Sequence, residues 1–391
     1  MNKNKILLSV AVTSMIVIGA VLVVNNGLKN SSVFATNDAV WYHYDAVAPT
    51  ENTHGSKEFW ASSTDGCATH TFTDPEVTCV DRDFSTYESF ATLTCDDDRY
   101  VPSINESLGI TPMFSTKNNT VTYGLYPQTN VNDSSLVSAL NALETPESNG
   151  WYLYENEYYA KLLSATPRNY GYTFDNGTKI KSGTTYWFKC EPITWNVLLN
   201  SNGEYYILSS VLLDACCYYN STSSRTIIGD RTVYANNYEY SDIRTWLNND
   251  FYYSAFALGK SYIQTTIVDN SADTTDSTSN SYVCNNTQDK VFLPSYQDYI
   301  NDSYGFSTET DPDDARCCKT TDWARAMGAW CSTVLPHLYT NLYWTRSPDS
   351  GSSKGAWYVD YDGSLCYGDE NVTYVDATYG SVRPAILITN L

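Results

Sequence analysis

Tyr343-Trp344-Thr345-Arg346-Ser347-Pro348 opens the stretch from which the fold is read, and Gly380-Ser381-Val382-Arg383-Pro384-Ala385-Ile386-Leu387 closes it. Between them lie Ala356-Trp357-Tyr358-Val359-Asp360-Tyr361 and then Asp362-Gly363. Aromatic and β-branched residues alternate with polar ones, and Asp-Gly suits a tight hairpin turn. The stretch therefore predicts a twisted antiparallel meander with one apolar and one polar face. Arg346 and Arg383 sit inside it, where a guanidinium is costly unless it is paired. They are expected to pair with acids such as Glu191 or Asp322, or to stack on Trp344 and Trp187.

Upstream, Val121 to Gln128 reads as a strand, and Asp133 or Ser134 as the cap of a helix carrying Leu136, Leu140 and Leu143. Trp151 to Tyr154 and Tyr158 to Leu162 read as a hairpin around Glu155-Asn156-Glu157. Thr184 to Cys190, Ile193 to Leu199 and Glu204 to Ser209 read as three strands. Ser241 caps a second helix with Ile243, Trp246, Leu247 and Phe251, and Thr321 or Asp322 begins a third. Residues 270–288 and 307–316 are expected to be polar loops too rich in Ser, Thr and Asp to pack. The fold class is α+β, mainly antiparallel strands with a few helices.

The N-terminus points to a location. Lys3 and Lys5 precede an uncharged, mostly apolar run from Ile6 to Val24, followed by Val33-Phe34-Ala35. Residues 1–35 read as an export signal cleaved after Ala35, or as an N-terminal anchor in which residues 6–24 hold the chain to a membrane. The bulk of the chain is then extracytoplasmic, secreted or anchored. Residues 36–100 form a small Cys/His-containing module, 101–120 a linker, and 121–391 the α+β domain. In the module, Cys67 and His70, with Cys79 and one of His43 or His54, offer a tetrahedral Zn²⁺ set. A Cys67–Cys79 disulfide with surface histidines is the alternative reading of the same residues. The eleven cysteines leave both disulfides and free thiols open for the chain as a whole.

The net charge of −21 leaves no excess of cations to neutralise phosphates, which excludes nucleic acid as a partner. The 34 tyrosines and 10 tryptophans exceed what a core needs, and exposed tyrosine suits contact with a saccharide or a protein. Gly351-Ser352-Ser353-Lys354-Gly355 matches the G-x-S-x-G pattern, but a strand follows where the nucleophile elbow needs a helix. It reads as a hairpin loop. His337 reads as a structural or surface histidine. Asp269, Asp273 and Asp276, or Asp311, Asp313 and Asp314, could gather Ca²⁺, yet neither run fits the twelve-residue loop, and both read as solvated.

Six landmarks run in order along the second domain. They are Gly124-x-Tyr126-Pro127-Gln128; Tyr186-Trp187-Phe188-x-x-Glu191-Pro192-Ile193-x-Trp195; Ser241-x-Ile243-Arg244-x-Trp246-Leu247-Asn248; Asp289-Lys290-Val291-Phe292-Leu293; Tyr343-Trp344-x-Arg346-Ser347-Pro348; and Val382-Arg383-Pro384-Ala385. Through them residues 121–391 resemble a family of exported bacterial domains of unknown function. The closing pair is also similar, more distantly, to C-type lectin-like folds of the formylglycine-generating, sulfatase-modifying type. The resemblance implies that Trp187, Trp195, Trp344, Arg346 and Arg383 are the structural core of the signature. It brings no activity with it. The copper-dependent oxidative chemistry of the distant group needs a cysteine pair after the late arginine, and no cysteine follows Arg383. The expectation is a non-enzymatic binding or adhesion protein with an extracellular saccharide or protein ligand. The alternative is an extracellular hydrolase acting on cell-wall glycan or peptide.

Overall fold

The computed structural model describes residues 108–391, apart from 148, 168–171, 202, 228–230, 369–372 and 390–391, together with five short strands before residue 108. Of those five, Val33–Ala35, Val40–Tyr44 and Phe59–Ser63 form an antiparallel sheet, and Leu22–Val24 pairs with Gly27–Lys29. Those strands apart, the export and anchoring reading of residues 1–35 falls outside the described residues. So do Cys67, His70 and Cys79; of His43 only its place in a strand is described. The chain divides into two units, Met1–Ser107 and Leu108–Leu391.

In the second unit a large sheet is built on one long strand, Thr185–Ser201. Thr120–Asn130 runs antiparallel along one side of it. Along the other side lie Glu157–Leu163 at its start and Glu204–Ser209 at its end. Two separate strands were expected here because Pro192 lacks an N–H and commonly ends a strand. Instead Pro192 sits at a register irregularity between Pro192 and Thr194, where the ladder is already interrupted, and the strand continues through it. The stretch 101–120, read as a linker, contributes the edge strand Met113–Ser115 to this sheet.

A smaller sheet has the order Asp214–Ala215, Ser381–Val382, Tyr343–Pro348, Ala356–Val359, Leu365–Tyr367. The last three are the expected meander, turned at Gly363, whose φ is +83°. The pairing of Tyr343 with Ser381 is parallel. Ala385–Thr389 leaves this sheet and pairs with Glu204–Ser209 in the large one, so one continuous stretch joins both sheets.

The expected polar face of the meander is absent. Tyr343–Pro348 and Ala356–Val359 are buried along their whole lengths. Polar residues are tolerated there because each finds a partner. Thr345 Oγ1 donates to Trp357 O (2.9 Å), and Ser347 Oγ to Thr274 O (2.9 Å). Arg346 pairs with Asp298 (2.9 Å) and donates to Leu293 O, so its acid is neither Glu191 nor Asp322. Arg383 pairs with no described carboxylate. It donates to Ser209 O (2.9 Å) and Tyr343 Oη (2.9 Å), with its guanidinium 5.3 Å from the Tyr343 ring centre. Trp187, Trp195 and Trp344 are buried, and their indole N–H groups donate to Asn141 Oδ1, Tyr123 O and Cys216 O.

Local signals set the helices. Asp133 Oδ1 accepts from Leu136 N (2.8 Å), and the helix Ser134–Asn141 follows. Ser241 caps Asp242–Trp246, which continues through a π-helical turn, Leu247–Phe251. Thr321 caps Asp322–Met327. Asp322 is itself buried, where it accepts from Asn130 N and Asp175 N and pairs with Arg325.

Much of the tyrosine excess enters the core, with hydroxyls tied to backbone or acid. Tyr123 donates to Gly259 O (2.6 Å), Tyr343 to Arg316 O (2.7 Å) and Tyr126 to Asp214 Oδ2 (2.5 Å). Burial pushes the Asp214 carboxyl above its ordinary value, and the hydrogen bonds from Tyr126, Trp323 and the Ala215 amide pull the other way. A carboxyl raised in the folded state stabilises most below its unfolded pKa, and that stability is lost as pH rises through the folded value. Tyr126→Phe removes a donor that favours the charged form, so Asp214 rises further. The substitution is expected to cost about 2 kcal/mol near pH 7.5 and clearly less near pH 5. Urea unfolding of both proteins at the two pH values measures this; an equal cost at both would break the assignment.

Candidate functional site

Two loops that are distant in sequence meet beside the small sheet. One is 270–280, which the sequence reading left solvated. Ser347 Oγ donates to Thr274 O (2.9 Å), Gln297 Nε2 to Thr275 O (2.9 Å) and Asn280 Nδ2 to Pro348 O (2.9 Å). These bonds fix the loop against Tyr343–Pro348. The other is 349–355, the G-x-S-x-G match, which joins Tyr343–Pro348 to Ala356–Val359. Asn236 Nδ2 donates to Ser352 O (2.8 Å) and Gly355 O (2.9 Å), and Asp349 N to Gly355 O (3.0 Å). A strand follows the loop, so Ser353 does not stand on a nucleophile elbow.

Between these loops lies a cleft of about 430 Å³, lined by Asp276, Asp349, Ser350, Trp357, Tyr367 and neighbouring backbone. Trp357 comes from Ala356–Val359, with its ring 4.5 Å from Tyr296 and 5.6 Å from Tyr367. Tyr367, at the end of the next strand, is 55% exposed and gives the cleft an open aromatic wall. Ser350 Oγ donates to Asp276 Oδ2 (2.5 Å), and Asp349 Oδ1 accepts from Gly351 N (2.9 Å). Two polar atoms of these residues, Asp276 Oδ1 and Trp357 Nε1, are buried away from the cleft and have no hydrogen-bond partner. Such atoms are uncommon in folded proteins.

Two carboxylates with raised pKa, Asp214 and Asp360, lie outside this cleft. Asp214 is enclosed by Tyr126 and Trp323. Asp360 is raised chiefly by its own burial, with Asp362 adding to it and the Tyr361 amide opposing. Cys317 is not poised as a thiol nucleophile. Cys317 Sγ is 3.6 Å from His337 Nδ1, but burial and then the acids Asp314, Asp362 and Asp313 push the thiol up to about 11. Reactive cysteines need the opposite shift.

The cysteines at 190, 216, 217, 284, 317, 318, 331 and 366 are all free, which resolves for these positions the choice between bridges and thiols. Of the adjacent Cys317 and Cys318, Cys318 is buried and Cys317 half-buried, while Cys216 and Cys217 are both half-buried. No helix among the described residues is long and apolar enough to cross a membrane.

Sequence reasoning missed Asp276, Asp349, Trp357 and Tyr367 as a group. The hydrogen bonds that bring 270–280 to 349–355 link residues some seventy positions apart, and nothing local announces them. The usable signal was the buried-strand pattern of 343–348 itself, whose Ser347 needed a partner.

A family profile described as Domain of unknown function (DUF6273) matches residues 202–390. The match holds the whole small sheet and the cleft, together with the two large-sheet strands Glu204–Ser209 and Ala385–Thr389. The landmarks Gly124 to Gln128 and Tyr186 to Trp195 precede it. No curated protein and no solved structure matches the chain.

Proposed function

We propose that residues 108–391 form a non-enzymatic binding domain of an extracytoplasmic protein, and that the cleft takes a hydroxyl-rich ligand of the saccharide class. The observation that supports this is an open aromatic wall, formed chiefly by Tyr367 beside Trp357, facing the carboxyl-bearing residues Asp276 and Asp349 across the cleft. A sugar ring offers an apolar face to stack on an aromatic side chain, and hydroxyls that both donate and accept. The Asp276 and Asp349 side chains would accept from hydroxyls of the ligand, and Tyr367 would stack on its apolar face. The binding reading also agrees with the C-type lectin-like resemblance of the closing strands and with an N-terminal segment suited to export or membrane association.

The test is binding of the full chain to immobilised cell-wall and host glycans, followed by calorimetry on the best ligand. Asp276→Asn and Tyr367→Ala are each expected to weaken binding about tenfold, equivalent to about 1.4 kcal/mol, while the melting temperature stays within about 2 °C. Absence of binding to any glycan, or binding indifferent to both substitutions, would refute the saccharide reading. Release of a cleaved product would replace it with the hydrolase.

A further inference from the structure

The other place where chemistry-bearing side chains converge lies on the loops 307–317 and 328–340. Asp314, Cys317 and His337 bring a carboxylate oxygen, a thiol sulfur and an imidazole nitrogen within 4.8 Å of one another. The sequence reading joined none of these residues: Asp314 was placed in a solvated acidic run, Cys317 was one of eleven cysteines of open state, and His337 was read alone.

Their placement is fixed by structure around them. Cys317 N donates to Asp314 O (3.2 Å), so the two side chains leave one turn, three positions apart. Arg316, between them, is wholly buried and donates to Tyr299 O (3.0 Å), Glu309 O (2.9 Å), Asp311 O (2.6 Å) and Gly363 O (2.7 Å). The turn is thereby pinned from inside. His337 is held by Thr340, whose N and Oγ1 both donate to His337 O (3.2 and 2.7 Å), and its ring meets Tyr361 edge-on at 6.0 Å.

The distance within the cluster is informative. Zinc–sulfur and zinc–nitrogen bonds of about 2.3 and 2.05 Å at a tetrahedral angle set sulfur and nitrogen roughly 3.5 to 3.6 Å apart. Cys317 Sγ and His337 Nδ1 stand 3.6 Å apart. A thiol and an imidazole at that distance make only a weak hydrogen bond. The same spacing is what two ligands of one small cation require. The mixed S/N/O donor set suits zinc and is too soft for calcium or magnesium.

We propose that Asp314, Cys317 and His337 bind a single Zn²⁺, with the fourth tetrahedral position left for water or a ligand group. The site is separate from the zinc set expected at Cys67, His70, Cys79 and His43, and does not depend on the saccharide cleft.

The test is titration of the full chain carrying Cys67→Ser and Cys79→Ser, which disables the N-terminal set, with Co²⁺ as a spectroscopic stand-in for zinc. One Co²⁺ per chain is expected, with a thiolate-to-cobalt charge-transfer band that zinc then displaces. Cys317→Ser should abolish the band, and His337→Gln and Asp314→Asn should each weaken binding at least tenfold. No thiolate band, or a band that survives Cys317→Ser, overturns the proposal. If Cys317→Ser does not fold by circular dichroism, the other two variants decide: Asp314 is exposed, and unchanged affinity in both rejects the site.

Discussion

Arg383→Ala is expected to lower the stability of the domain by about 3 to 5 kcal/mol, with a fall in melting temperature on the order of 10 °C. Arg383 is 2% exposed. It stands where the two sheets diverge, between Ser381–Val382 in one and Ala385–Thr389 in the other. Its donors reach Ser209 O, Arg316 O and Tyr343 Oη, groups belonging to three different segments. Alanine removes the guanidinium donor from Ser209 O and Tyr343 Oη, while Arg316 O keeps the Tyr343 hydroxyl, and it also leaves a cavity the size of the guanidinium. Lysine should rescue little, because one compact ammonium group cannot serve acceptors that a planar fork reaches separately. Urea unfolding measures the loss. An Arg383→Ala protein that folds with unchanged stability would refute the structural role.

Arg316→Met is expected to cost a similar amount, about 3 to 5 kcal/mol, and to show where the cost falls. The loop 307–316 carries Asp311, Asp313 and Asp314, and it holds its shape around the one buried guanidinium. Asp313 lies 3.6 Å from it, and backbone oxygens of Glu309 and Asp311 take its hydrogens. The contact with Gly363 O ties the same loop to the meander turn. Only glycine fits at 363, since a Cβ there would lie 2.0 Å from Asp313 O. Without the guanidinium those carbonyls lose their donor and the acidic run is free to open. Hydrogen exchange across 307–315 should accelerate on the order of a hundredfold, with smaller changes in the large sheet. Unchanged protection there would show that the loop stands without Arg316.

The parts of the fold that were readable in the sequence are those decided locally. Asp133, Ser241 and Thr321 begin helices because a cap acts on amides two or three positions away. The hairpin at Glu155-Asn156 follows from two residues that take positive φ. The meander was readable as strands, but not as doubly buried, since Thr345, Ser347 and Arg346 are satisfied by Trp357, Thr274 and Asp298, which no pattern along the strand reveals. The same reason hid both sites. The run 270–280 looked solvated because the hydrogen bonds that seat it reach residues some seventy positions away, while 307–315 is exposed as expected and only its join to His337 was hidden. Arg346 shows the limit well: that it needed an acid was evident, but which acid depended on where Tyr296–Tyr299 packs.

The route of the chain between its two sheets bears on when the domain can form. Glu204–Ser209 pairs on one side with the adjacent Thr185–Ser201, but its other side is completed by Ala385–Thr389, with Ile207 beside Ile386. Asp214–Ala215 likewise waits for Ser381–Val382. Both pairings span nearly the whole second half of the chain, so neither can close while the ribosome still holds those last strands. Non-local pairing of this kind slows folding and prolongs the exposure of apolar strands. The nascent domain must remain open until its synthesis is almost complete, a condition that a chain handed unfolded to a chaperone or a translocase would meet.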